Sequence, residues 1–148
     1  MSPLTTSTPI APQGHQSAEA ATSGLAASLL DAAALAALHQ LDPTGANLLV
    51  LRVMTIYRSS LARLLDQLTL ARACDDVAAL RLVTHTLKSC SASVGALLLS
   101  ALCAQAEQAV RGGRLQDLPP LLDQLESEAV RVDAAVLQLL SDPSTIAR

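Results

Sequence analysis

From Val50 to Leu139 the apolar positions of this chain recur at alternating steps of three and four. Val50, Met54, Tyr57, Leu61, Leu64, Leu68 and Ala71 form one such series; Leu80, Val83, Leu87, Cys90 and Val94 form a second. Leu99, Leu102, Ala106 and Ala109 continue the rhythm, and Leu118, Leu122, Leu125, Ala129, Val132, Val136 and Leu139 complete it. At about 3.6 residues per turn each series lies along one face of a helix. The spacing predicts a long helix over 44–72, then one that starts at Asp75-Asp76, where either residue can cap it, and ends around Ser93–Gly95. Another runs over 96–111 and stops at Gly112-Gly113. The last starts near Asp117, keeping Pro119 and Pro120 in a first turn that has no use for their missing N–H groups.

A shorter helix over 28–40 precedes these, with Leu30, Ala34, Leu38 and Leu41 as its inner edge and His39 in its last turn, where a partly charged imidazole suits the helix dipole. Asp42-Pro43 then breaks the chain and restarts it. The fold class expected is all-α: an antiparallel up-down four-helix bundle with the additional short N-terminal helix covering one end. Sustained heptads would also suit a coiled coil, but the interruptions at Cys74–Asp76, Gly95 and Gly112–Arg114 favour a chain that folds back on itself.

Composition narrows the core and the function classes. Hydrophobic residues make up 51% of the 148, yet there is no Trp, no Phe and a single Tyr. A core of Leu, Ala and Val suits close-packed helices better than a sheet. Residues 1–24, rich in Ser, Thr, Pro, Ala and Gly, read as a flexible tail or linker. His15 lies in that segment with no partner near it in sequence. The bundle is expected over 25–142 and a short C-terminal tail over 143–148. A net charge of −3 gives no case for nucleic acid. No apolar run approaches the ~20 residues of a membrane span, and with no basic region followed by a hydrophobic stretch near Met1, no secretory signal is expected. Cys74, Cys90 and Cys103 show no CxxC spacing, so small core residues in a reducing cytoplasm are expected rather than disulfides or a metal site.

The candidate chemistry sits at His85. At about 100° per residue it falls about 160° from Leu87, so the helix turns a lone imidazole outward. Ala78, Arg81, Leu82, Ser89 and Ala92 share that outer face, with Lys88 on its flank. A merely solvated face would carry more charge; an apolar patch around a nucleophile, bordered by cations, reads as a docking surface. Asp75 and Asp76 lie too far back to touch the ring, and no carboxylate is expected on the His85 face to orient it as a hydrolytic triad requires.

The run from Thr84 to Ser91 resembles the phosphoacceptor motif of histidine-containing phosphotransfer (HPt) domains. That motif reads roughly His-x-x-Lys-(Gly/Ser)-small-small with a glycine some ten residues after the histidine. Here it is supplied by His85, Lys88, Ser89, Cys90, Ser91 and Gly95. Leu41-Asp42-Pro43 before the long helix, and Leu102-Cys103 followed by Glu107 after the motif, are also similar to the family, so the resemblance covers about residues 29–140. Many members place glycine directly after the lysine, where this chain has Ser89.

The resemblance implies a phosphoryl carrier of a multistep two-component phosphorelay. In it, His85 exchanges phosphate with the aspartate of a receiver domain in a response regulator or hybrid kinase. Lys88 would stabilise phosphoryl charge, and Ser89 would leave room beside the group. Ala78, Arg81, Leu82 and Ala92 would meet the partner, with Gly95 serving a turn or close packing. Receiver domains bring their own Mg²⁺ site, so this chain, expected to be a cytoplasmic monomer, would need no cofactor.

Two other readings share the fold. An autophosphorylating kinase hairpin would follow its histidine with an acidic residue and, four residues further on, a proline. Here Thr86 follows His85, no proline lies within the helix, and no Gly-rich nucleotide segment exists. A binding-only adaptor would use the same face with His85 unphosphorylated; such proteins often lose the histidine or the lysine, and both are present.

Overall fold

Each long apolar stripe closes into a helix that buries most of the stripe. The computed structural model describes residues 29–46 and 48–142, so the tails expected over 1–24 and 143–148 lie outside the described residues. The helices are α1 (Ala32–Leu41), α2 (Leu49–Ala73), α3 (Val77–Ser93), α4 (Leu97–Arg111) and α5 (Leu118–Ser141). A 3-10 turn, Leu115–Asp117, leads into α5. No strand occurs among the described residues. Helices α2 to α5 form the up-down bundle and α1 packs on α2. No described helix is long and apolar enough to cross a membrane.

Two boundaries depart from the sequence expectation. Helix α1 begins at Ala32, because Asp31 caps it by accepting from the Ala34 N–H at 3.2 Å. Leu30 is buried ahead of the helix rather than on it, and Leu41, expected on the inner edge, is 74% exposed. Asp42 takes the inward place instead, and its carboxylate accepts from the Leu49 N–H at 3.2 Å. That contact moves the start of α2 from 44 to Leu49, with Pro43 left in a turn and Leu48 in the left-handed region at φ 53°. An acid seven residues upstream does what a neighbouring cap residue would normally do.

The α3–α4 seam is the most extensive in the bundle. Small residues permit the approach: the Ser100 hydroxyl donates to the Lys88 carbonyl at 2.9 Å, and Ser91 and Ala96 are fully buried. The buried Tyr57 hydroxyl meets the Ser91 hydroxyl at 3.0 Å, and burial raises its pKa above the ordinary phenol value. The α2–α5 seam is the slightest of the four between neighbouring bundle helices. It is crossed at the surface by ion pairs of Arg58 with Asp133 (2.7 Å) and of Arg72 with Asp123 (2.9 Å) and Glu126 (3.1 Å). Such exposed pairs set register more than stability, at about 0–1 kcal/mol each.

An acid in the core of α5 breaks the apolar rule. Glu128 on α5 is 5% exposed; its Oε2 accepts from Arg131 at 3.2 Å, while Oε1 has no hydrogen-bond partner among the described residues. A buried, half-satisfied carboxylate loses hydration that one rim arginine does not restore. Glu128→Met, which keeps the volume and removes the charge, is expected to raise the unfolding free energy by about 1–3 kcal/mol. Urea titration followed by circular dichroism measures this; a lower midpoint would show that the Arg131 pair outweighs the desolvation.

Candidate functional site

Helix α3 is anchored by Asp76, whose carboxylate accepts from the Ala79 N–H at 3.1 Å. Leu80, Val83, Thr84, Leu87 and Ser91 point inward. That rotation fixes the opposite face, where Ala78, Arg81, Leu82, His85, Ser89 and Ala92 are all exposed, as the sequence predicts. The Ser89 hydroxyl donates to the His85 carbonyl at 3.3 Å and so bonds within its own helix. Leu82, at 67% exposure, borders a shallow groove between α2 and α3, together with Leu70, Ala71, Cys74, Ala79 and Val83. Leu70, 66% exposed, is an apolar neighbour of this surface that the α3 pattern alone cannot reveal.

The decisive contact comes from the adjoining helix. Glu107 on α4 is 2% exposed, and its Oε1 lies 3.1 Å from His85 Nδ1. Its Oε2 accepts from Lys88 Nζ at 2.7 Å. Arg111, one turn along α4, donates to Oε1 at 2.7 Å. The expectation that no carboxylate orients the ring is therefore corrected: none lies on α3, but the close α3–α4 packing delivers one from α4. A signal was present in the sequence, because Glu107 stands four residues after Cys103 and eight after Leu99, on the apolar side of its helix. An acid in that position is buried and must be paired. Arg111 had no such signal.

The Glu107 carboxyl is held below the usual carboxylate range, chiefly by the Lys88 hydrogen bond. Burial opposes the shift, while the His85 contact and the charges of Lys88 and Arg111 reinforce it. An ionised carboxylate can only accept, so a neutral imidazole facing it carries its proton on Nδ1. Nε2 is then left with a free lone pair on a ring whose side chain is 57% exposed. The arrangement is a carboxylate-oriented imidazole with an outward nucleophilic nitrogen and two nearby cations, a geometry suited to accepting an electrophilic anion such as a phosphoryl group.

Cys74, expected in the core, is exposed on the groove between α2 and α3, whereas the other two cysteines offer no rival nucleophile. Cys103 is buried, which pushes its thiol up to about 12, and burial also raises Cys90. No cluster of His, Cys, Asp and Glu among the described residues is arranged to hold a metal.

The family model described as the Hpt domain matches residues 52–135, a span that includes His85, Lys88, Glu107 and Arg111. The chain belongs to the Hpt domain family. Among solved structures, this Hpt domain is similar to histidine-containing phosphotransfer protein B (HptB) from Pseudomonas aeruginosa PAO1. The two share 29% sequence identity with a TM-score of 0.68, over 77% of this chain and 96% of that one. A search of curated protein sequences found no match. Hpt domains are phosphotransfer carriers rather than kinases; this chain is such a carrier in a two-component phosphorelay, where partners include receiver domains.

Proposed function

We propose that His85 is the residue that carries the phosphoryl group, exchanging it with the aspartate of a receiver domain in a response regulator or hybrid kinase. The observation that carries this reading is the 3.1 Å contact between Glu107 and His85 Nδ1, which leaves Nε2 as the exposed nucleophile. The Nε2 lone pair attacks phosphorus, the bond from phosphorus to the aspartyl oxygen breaks, and the aspartate leaves as a carboxylate. The Nδ1 proton stays between ring and Glu107, whose charge stabilises the imidazolium that N-phosphorylation creates. In the reverse direction the bond from phosphorus to Nε2 breaks with its electron pair returning to Nε2, so the leaving group is the neutral imidazole.

Lys88 supplies positive charge to the phosphoryl oxygens, one helical turn from the ring. Ser89 keeps the space beside the ring small-sided. The receiver docks across Ala78, Arg81, Leu82 and Ala92, with Arg81 and Lys88 complementing its acidic site. That acidic site holds the Mg²⁺; this chain contributes no metal ligand and no kinase activity. The protein works as a cytoplasmic monomer, without nucleic acid and without membrane insertion.

The test is to incubate the chain with a phosphorylated receiver and look for acid-labile, base-stable label. No label from a panel of receivers would replace this reading with the binding-only adaptor. In the same assay, Leu82→Asp is expected to raise the receiver concentration needed for half-maximal transfer roughly tenfold, because a truncated interface anchor costs more than about 1 kcal/mol. Its melting temperature should stay near native, since Leu82 is mostly exposed. Unchanged transfer with a lowered melting temperature would remove Leu82 from the interface.

A further inference from the structure

Two cations share one buried carboxylate beside His85, and they are not equivalent. Lys88 reaches Glu107 across the α3–α4 seam, whereas Arg111 reaches it along α4, four residues on. Lys88 rides on the same helix as His85, three residues after it, and so stays within reach of whatever the imidazole carries. Arg111 and His85 Nδ1 meet the same oxygen, Oε1, while Lys88 alone holds Oε2.

An arriving phosphoryl group brings about −1.5 to −2 of charge. Lys88 turning to it loosens its hold on Glu107, whose side chain is 3% exposed and has little water to replace a lost partner. A buried carboxylate stripped of its only cation is strongly disfavoured. Glu107, however, keeps a second one.

We propose that Arg111 is a positioning residue for phosphoryl transfer: it neutralises Glu107 while Lys88 transfers from that carboxylate to the phosphoryl oxygens. Arg111 thereby acts through Glu107 and needs no contact with the phosphoryl group itself. The proposal rests on His85 being the phosphoryl acceptor.

The experiment measures the rate of label transfer from a saturating phosphorylated receiver to the full chain, with melting curves for every variant. Arg111→Ala should slow transfer about tenfold, equivalent to about 1.4 kcal/mol of barrier, and match Lys88→Ala, because the lysine is held on Glu107. Arg111→Lys should restore most of the rate by supplying a cation at the same place. In the Glu107→Gln background, Arg111→Ala should have no further effect, since a neutral amide needs no counterion and leaves Lys88 free.

A native rate for Arg111→Ala overturns the proposal. So does an equal slowing in both backgrounds, which would mean that Arg111 touches the phosphoryl group or the receiver directly. A native chain that takes no label overturns the assignment of His85 instead, so the two failures are told apart by the native control.

Discussion

His85→Gln is expected to abolish phosphoryl acceptance while the bundle stays folded. The amide N–H of glutamine can still face Glu107, so the carboxylate keeps a donor, but the variant has no nitrogen lone pair able to form a stable bond to phosphorus. The side chain is 57% exposed, and substitutions at such sites usually change stability by no more than about 0.5 kcal/mol. Acid-labile label from a phosphorylated receiver should therefore fall to background with an unchanged melting curve. Label on the variant at the native rate would place the acceptor elsewhere, and His39 would be the next residue to test.

The largest structural effect is expected at Gly95. Its φ is +83°, and an added Cβ would stand 2.8 Å from the Asp31 backbone nitrogen and 2.9 Å from the Ala34 Cβ. The first of these atoms is the donor that bonds the Gly95 carbonyl at 2.8 Å, so α1 would have to lift off to make room. A left-handed alanine costs about 1–2 kcal/mol by itself, and a lost backbone hydrogen bond costs about 1 kcal/mol more. Gly95→Ala should lower the unfolding free energy by about 3 kcal/mol and the melting temperature by about ten degrees or more. Below its transition the variant should still accept phosphate, because His85 lies about three turns away along α3. Native stability would mean that α1 repositions without loss, and lost transfer in the folded variant would bring Gly95 into the site.

The contrast between these two residues follows what the sequence can and cannot carry. The outward turn of His85 is a property of one helix, so the stripe from Leu80 to Val94 was enough to predict it. The same holds for the ends of α4, where Gly112 and Gly113 stop the helix close to the expected point. Boundaries set by distant partners were not legible. The start of α2 depends on Asp42 reaching Leu49, and the inward place expected for Leu41 went to that acid instead. Thr84 and Ser91 are buried although polar, because their hydroxyls bond to the Leu80 carbonyl and to Tyr57, respectively.

The candidate site divides in the same way. His85 and Lys88 come from one helix and were readable together, whereas Glu107 and Arg111 join them only through the α3–α4 packing. A periodic pattern records which side of a helix is inside. It does not record which residue of the next helix waits there.

The near-absence of aromatic residues has an optical consequence. Tyr57 is the only ring of the Phe, Tyr and Trp kind in the chain, and its hydroxyl bonds Ser91 on the helix that bears His85. All tyrosine emission therefore reports a single core position coupled to α3, with no label to attach and no spectrum to deconvolute. Under excitation selective for tryptophan this chain is dark, so a partner that carries that residue can be watched alone as it docks.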